Sequence, residues 1–198
     1  MRKEIIVIDG FYDDPEEIRR QALDMNYSIS GNYPGTRTES LPNGDVREFL
    51  ERVMGIKIDE MKWNMGEYTG AYQYVVEGAK TWIHSDHHND WSCLVYLHPD
   101  PIDNSGTSFY RHIETGSTSY HDNAGEEIEK YGDKPDAWVK TDVVANKFNR
   151  AIIFRGDLWH QADEYFGNDL ETGRLFQTFF FDEAVSYTHL TLPTNREV

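Results

Sequence analysis

Cysteine is all but absent from this chain. Cys93 is the single one among 198 residues, so no intrachain disulfide can form and the fold must be held by its core. That usage fits a reducing compartment, and a cytoplasmic protein is the expectation. Positive charge is also scarce: 19 Lys and Arg stand against 35 Asp and Glu, a formal net charge of −16. Such a balance repels phosphate backbones and anionic lipid surfaces, so nucleic acid and membranes are not expected partners. Long apolar runs are missing as well. The run Ile5-Ile6-Val7-Ile8 ends at Asp9-Gly10, too short to span a bilayer or to form a signal-peptide core despite Arg2 and Lys3 before it. Neither internal repeats nor low-complexity tracts interrupt the chain.

What is present is a generous supply of core. Apolar residues make up 38% and aromatics 14%, including 12 Tyr, 10 Phe and 5 Trp, which excludes global disorder. The length suits one domain. The last stretch reads differently from the rest. Residues 185–198, VSYTHLTLPTNREV, resemble the translated end of a sequencing adapter fused to a truncated gene. The expected organisation is therefore a single domain over 1–184 followed by a non-native tail over 185–198, an ordinary frayed terminus being the alternative. His189 belongs to that tail, which leaves seven of the eight histidines for the domain. Oligomeric state is not legible.

Residues 4–8 form a β-branched run and read as a strand. Asp13-Asp14-Pro15-Glu16-Glu17 supplies an N-cap, a proline suited to the first turn and acids at the positive end of a helix dipole, so a helix runs to about Met25. Residues 26–44 are rich in Gly, Pro, Asn, Ser and Thr and read as a long loop. It is either a plain surface loop or a lid carrying Tyr33 and Arg37. Val46, Phe49, Leu50, Val53 and Met54 repeat at helical spacing over 45–54. From residue 67 short aromatic and β-branched runs alternate with turn signals. Strands are expected at 70–76, 80–85, 92–98, 106–111, 138–144, 150–155 and 174–181, with a helical turn at 126–131. The fold class that follows is mainly β (α+β): a β-sandwich or jelly roll with the N-terminal helices packed outside.

Three histidines crowd one segment, Trp82-Ile83-His84-Ser85-Asp86-His87-His88. On a strand His84 and Asp86 point the same way, so an imidazole and a carboxylate can share one metal. His160 follows the strand-like run Ala151-Ile152-Ile153-Phe154 and a turn at Arg155-Gly156-Asp157. Two His and one Asp on one face of a metal are the donor set of non-haem Fe(II) oxygenases, which leaves positions open for substrate and O2. A bare His-x-Asp pair is common on surfaces, and its context decides. Arg174 opens Leu175-Phe176-Gln177-Thr178-Phe179-Phe180-Phe181, a strand apolar on both faces. A cation there is costly to bury unless an anion meets it. That anion is either a structural acid or a bound carboxylate, which the planar guanidinium fits bidentately. Thr178 shares the face of Arg174 and offers a hydroxyl. Among the remaining candidates, His87 and His88 read as a polar strand end or as substrate contacts. His112 reads as a residue at a pocket mouth, while His98 and His121 read as surface. Arg111 and Arg155 read as ion-pair partners, and Cys93 as a small buried hydrophobe.

The stretches IVIDGFYDDPEEIRRQAL, WIHSDHHNDWSCLVYLHPD, SGTSFYRH, NRAIIFRGDLWHQADEYFG and GRLFQTFFF resemble the Fe(II)/2-oxoglutarate-dependent dioxygenases. The likeness is to a little-characterised, prolyl-hydroxylase-like branch of marine bacterial and phage type, and it spans roughly residues 4–182. It implies a double-stranded β-helix, with His84, Asp86 and His160 as iron ligands and catalytic centre. By the same resemblance Arg174 holds the distal carboxylate of 2-oxoglutarate, and Tyr74 and Tyr96 line the cosubstrate pocket. The implied reaction consumes O2 and 2-oxoglutarate, releases succinate and CO2, and oxidises a peptidyl or small-molecule substrate. Two other classes compete. A cupin-like jelly roll without catalysis would keep the barrel but need no anion-binding arginine. A metallo-β-lactamase-type hydrolase would need T-H-x-H-x-D-H, but its first ligand position is Trp82, which cannot bind zinc.

Overall fold

The computed structural model describes residues 5–121 and 125–185. The chain runs β1 (Ile5–Asp9), α1 (Pro15–Leu23), β2 (Ile29–Gly31), β3 (Tyr33–Arg37), α2 (Gly44–Met54), α3 (Glu60–Met65) and β4 (Tyr72–Val75). It continues with β5 (Trp91–Tyr96), β6 (Thr107–His112), α4 (Gly125–Glu129), a 3-10 turn at Pro135–Ala137, β7 (Trp138–Val144), β8 (Arg150–Arg155), β9 (His160–Ala162) and β10 (Arg174–Phe181). Seven strands form one sheet in the order β1-β8-β5-β10-β4-β3-β2, and three form a second in the order β7-β6-β9. Every strand pairing is antiparallel.

Local chemistry explains the helices. Asp14 accepts from the Glu17 amide at 3.0 Å and Pro15 occupies the first turn of α1. Asn43 accepts from the Asp45 and Val46 amides to start α2, and Gly55 at φ 70° ends it. Ala22, Val46, Leu50, Met54 and Trp63 from the three helices share one core with Cys93, Val95, Ala151, Ile153, Leu175 and Phe179 of the large sheet. The opposite face of that sheet supplies Val75, Tyr96, Ile152, Phe154 and Phe176 to a second cluster, which Phe109 of β6 joins from the small sheet. Phe109 and Phe154 meet edge to face, their ring centroids 5.3 Å apart. The two sheets therefore enclose an aromatic interior, and period-two alternation decides which residues enter it.

Two expectations are corrected and two further elements are added. Residues 26–44 are not one loop: β2 and β3 form a hairpin that pairs with β4, Thr36 opposite Tyr74 and Arg37 opposite Gln73. Gly35 makes this possible. It sits at φ +76° with the Tyr74 carbonyl oxygen where a Cβ would lie. The segment 80–85 is not a strand but an irregular run carrying one isolated bridge, His84 to His160. Helix α3 and strand β9 were not anticipated: α3 is six residues capped by Asp59, and β9 only three residues long. The residues 185–198 singled out by sequence lie almost wholly outside the described residues.

Candidate metal centre

Backbone pairing builds the site. The His84 amide donates to the His160 carbonyl at 3.0 Å, and the His160 amide returns the bond to His84 at 2.9 Å. In such an antiparallel pair both side chains project to the same side, and the imidazole centroids stand 4.4 Å apart. Two residues on, the Asp86 amide donates to the Gly156 carbonyl at 2.7 Å, which docks the His84–Asn89 segment onto the end of β8. Gly156 is obligatory there, because a Cβ would collide with the carbonyl oxygens of Asn89 and Asp86.

The result is a cluster in which one ligand atom each from His84, Asp86 and His160 lies within 4.8 Å of the others. His160 Nε2 stands 3.5 Å from Asp86 Oδ2. The outer nitrogens are occupied: His84 Nδ1 lies 3.0 Å from the Trp82 carbonyl and His160 Nδ1 2.9 Å from the Leu158 carbonyl. A carbonyl only accepts, so each Nδ1 carries the proton and each Nε2 presents its lone pair inward. Burial, with His84 beside it, pushes the pKa of His160 down to about 4, so its imidazole is neutral near pH 7. Burial opposes ionisation of Asp86, but His160, His84, the Ser92 hydroxyl and Arg37 outweigh it and hold the carboxyl below its ordinary range. Ser92 Oγ donates to Asp86 Oδ2 at 2.7 Å. Two imidazoles whose Nδ1 atoms face carbonyls and an ionised carboxylate, each oriented by a second partner, are a donor set that fits a first-row divalent metal.

Arg174 is 1% exposed. Its Nε donates to the Ser105 carbonyl at 2.9 Å and its Nη2 to the Gly106 carbonyl at 3.3 Å. The guanidinium lies over the rings of Phe176, Tyr96 and Tyr165, at 4.7, 5.3 and 5.8 Å from their centroids. Among the described residues no carboxylate pairs with it. Tyr96 is fully buried in the same cluster, its hydroxyl 2.8 Å from Thr107 Oγ1. His160 packs on Phe154 of that cluster at 4.6 Å, so the aromatic interior extends from His160 to Arg174.

Of the other sequence candidates, one points elsewhere and one is already engaged. Tyr74 faces the helices, where it meets Tyr27 edge to face at 5.1 Å. Alternation along β4 sends Gln73 and Val75 inward and Tyr72 and Tyr74 outward. Thr178 does face inward, but its hydroxyl donates to the Tyr68 carbonyl at 3.0 Å and is committed to the backbone. His112 is buried against Trp138 with Nδ1 3.1 Å from Thr115 Oγ1 and does not line the cleft beside the triad. His87 stacks on Tyr120, and His98 packs edge-on to Phe166. Arg155 pairs with Glu183 at 3.2 Å, as an ion-pair residue should.

His84 and Asp86 open onto a cleft of about 710 Å3 that is also lined by Tyr33, Arg37, Tyr68 and His88. The sequence reading leaves Arg37 on either a surface loop or a lid, names Gly156 only within a turn, and gives Ser92 no role. A small polar residue in an otherwise apolar strand is the one trace of Ser92.

Residues 1–181 match the model of a family of unknown function, DUF6445, and the chain belongs to that family. No curated protein sequence matches it. Among solved structures it is similar to HygX from Streptomyces hygroscopicus with nickel and 2-oxoglutarate bound, at TM-score 0.55 and 13% identity over 90% of this chain and 82% of that one. It is also similar to a prolyl-4-hydroxylase of Pseudomonas putida, at TM-score 0.51 and 12% identity over 90% of this chain and 91% of that one. A third is SnoK, a non-heme alpha ketoglutarate dependent carbocyclase from nogalamycin biosynthesis, at TM-score 0.53 and 9% identity over 91% and 80%. At these identities the likeness is one of fold: a mainly antiparallel architecture shared with 2-oxoglutarate-dependent oxygenases. No helix among the described residues is long and apolar enough to cross a membrane.

Proposed function

We propose that the chain is an Fe(II)- and 2-oxoglutarate-dependent oxygenase that hydroxylates a peptidyl or small-molecule substrate in the cytoplasm. The observation that carries this reading is the convergence of His84, Asp86 and His160 in a fold of the kind used by such oxygenases. In this reading the two sheets are the walls of a double-stranded β-helix, with the N-terminal helices outside it.

His84 and His160 would hold the ferrous ion through Nε2, and Asp86 through its carboxylate. When bound, the iron and 2-oxoglutarate supply an oxidative decarboxylation that places one oxygen atom of O2 in succinate, releases CO2 and delivers the other atom to the substrate. The chain's own residues do the positioning. The Trp82 and Leu158 carbonyls keep the imidazoles in the metal-binding tautomer, and Ser92 keeps Asp86 aimed. Arg174, with no protein carboxylate and with Tyr96 beside it, would receive the distal carboxylate of 2-oxoglutarate at the far end of the aromatic interior. Phe109, Phe154 and Phe176 pack together in the apolar interior between the two ends.

The test is turnover of 2-oxoglutarate by the metal-free chain reconstituted with Fe(II), read as succinate. Iron-dependent succinate formation that disappears in His160→Ala supports the reading. Metal binding without succinate formation would instead favour a non-catalytic, cupin-like barrel.

A further inference from the structure

Arg37 is the second buried arginine of the interior, beside Arg174. It lies on β3 opposite Gln73, 8% exposed, and lines the same cleft as His84 and Asp86. Only its Nε has a protein acceptor, Gln73 Oε1 at 2.6 Å, and Gln73 is fixed in turn by donating to the Pro34 carbonyl at 2.7 Å. Among the described residues no carboxylate pairs with Arg37, and neither terminal nitrogen donates to a protein acceptor.

Its surroundings are built. The guanidinium carbon lies 3.7 Å from the centroid of the Tyr33 ring and 4.5 Å from that of Tyr68, and the two rings meet edge to face. Tyr68 holds a left-handed backbone, φ 65°, which a bulky residue adopts only under constraint. The constraint is visible: its amide donates to Ser40 Oγ at 2.8 Å, and its carbonyl accepts from Thr178. The chain thus strains a turn to keep an aromatic wall against a cation whose free edge faces the cleft. Asp86 reaches it through the field and not through an ion pair, and a desolvated guanidinium whose terminal nitrogens lack acceptors is costly. Its planar fork matches a carboxylate better than any neutral group.

We infer that Arg37 is the specificity-determining residue of the substrate site and binds a carboxylate of the substrate. The inference rests on the oxygenase reading for the word substrate, but the anion site stands on the geometry alone. The exposed Met61 and Met65 of α3 rim the cleft and suit an apolar body attached to that acid. The substrate class is then an apolar carboxylic acid, such as a hydrophobic amino acid or a peptide C-terminus, rather than an internal peptide segment.

The test uses the full, metal-free, 15N-labelled chain. The Arg37 Nε–Hε resonance is assigned by its loss in Arg37→Lys, then titrated with sodium acetate, acetamide and inorganic phosphate at constant ionic strength. Acetate should shift it saturably, with a midpoint at least about 10-fold below that of acetamide. With Zn(II) and 2-oxoglutarate bound, acetate should still shift it. An absent acetate response, or an equal response to acetamide, overturns the inference. Tighter binding of phosphate than acetate overturns the carboxylate assignment. Loss of the acetate response once 2-oxoglutarate is bound makes Arg37 the cosubstrate's anchor and overturns it as well. Because no iron is present, the outcomes separate: an acetate site in a chain that never forms succinate sinks the oxygenase reading and leaves Arg37 standing. Succinate formation with no acetate site does the reverse.

Discussion

His84 and His160 exchange both backbone hydrogen bonds, at 3.0 and 2.9 Å, although 76 residues separate them. The geometry of an antiparallel pair then leaves the two imidazoles no choice but to face one another on the same side. The convergence of the two imidazoles is thus set by the main chain.

Removing either imidazole should therefore abolish the site while sparing the pairing. In wild type a divalent metal at 100-fold over its dissociation constant should stabilise the fold by about 2.7 kcal/mol. His84→Ala and His160→Ala should show no such gain in thermal unfolding. A metal-dependent gain of wild-type size in His160→Ala would place the metal elsewhere.

Ser92→Ala takes away the hydroxyl that donates to Asp86 Oδ2 at 2.7 Å. Loss of such an orienting partner typically weakens metal binding about 10- to 100-fold. Competition with a fluorescent chelator measures the change, and an unaltered affinity would show that Asp86 needs no such support.

Gly156→Ala forces a methyl group against the Asn89 and Asp86 carbonyl oxygens. The backbone must shift, at a cost of about 1–3 kcal/mol, and the segment that moves carries Asp86. Both the unfolding midpoint and metal affinity should fall together. A variant that loses stability but keeps its affinity would show that the segment adjusts without moving its carboxylate.

Arg174→Ala should raise the half-saturating concentration of 2-oxoglutarate steeply, since losing a buried charge-assisted pair costs on the order of 2–5 kcal/mol. Arg174→Lys should retain part of the affinity, as the charge survives and the fork does not. The lysine variant also guards against misfolding, because Arg174 holds the Ser105 and Gly106 carbonyls in place. Unchanged 2-oxoglutarate affinity in a folded variant would leave Arg174 with a purely structural role.

Truncation separates fold from tail. Asp182 pairs with Lys62 at 2.7 Å and accepts from the Asp90 amide, while Glu183 accepts from Trp91 Nε1 at 3.0 Å. A chain ending at Ala184 should melt with the full chain, and one ending at Phe181 should melt lower. Equal melting of all three would make these contacts worthless, and a drop at Ala184 would refute the reading of 185–198 as foreign.

Local chemistry carried the sequence reading a long way. The Asp14 cap, the stripe from Val46 to Met54, the β-branched runs of β1 and β8 and the aromatic run of β10 each act within a few residues. Their elements could therefore be placed by inspection. The His84-x-Asp86 pair alone is a weak signal; its context with His160 and Arg174, and the family resemblance, singled it out. What composition misjudged was the stretch 26–44, whose glycines and prolines read as loop. There β3 forms because β4 offers it an edge, a pairing no local window contains. The same limit hid the facing of side chains. Tyr74 and Tyr96 look alike in sequence, yet the register of β4 turns one toward the helices and that of β5 turns the other toward Arg174. Arg37 reads as one more loop cation until strand order sets it against Gln73, Tyr33 and Tyr68. Side-chain identity fixes which chemistry is available. Non-local hydrogen bonding between strands fixes which groups meet, and only the folded sheet holds that information.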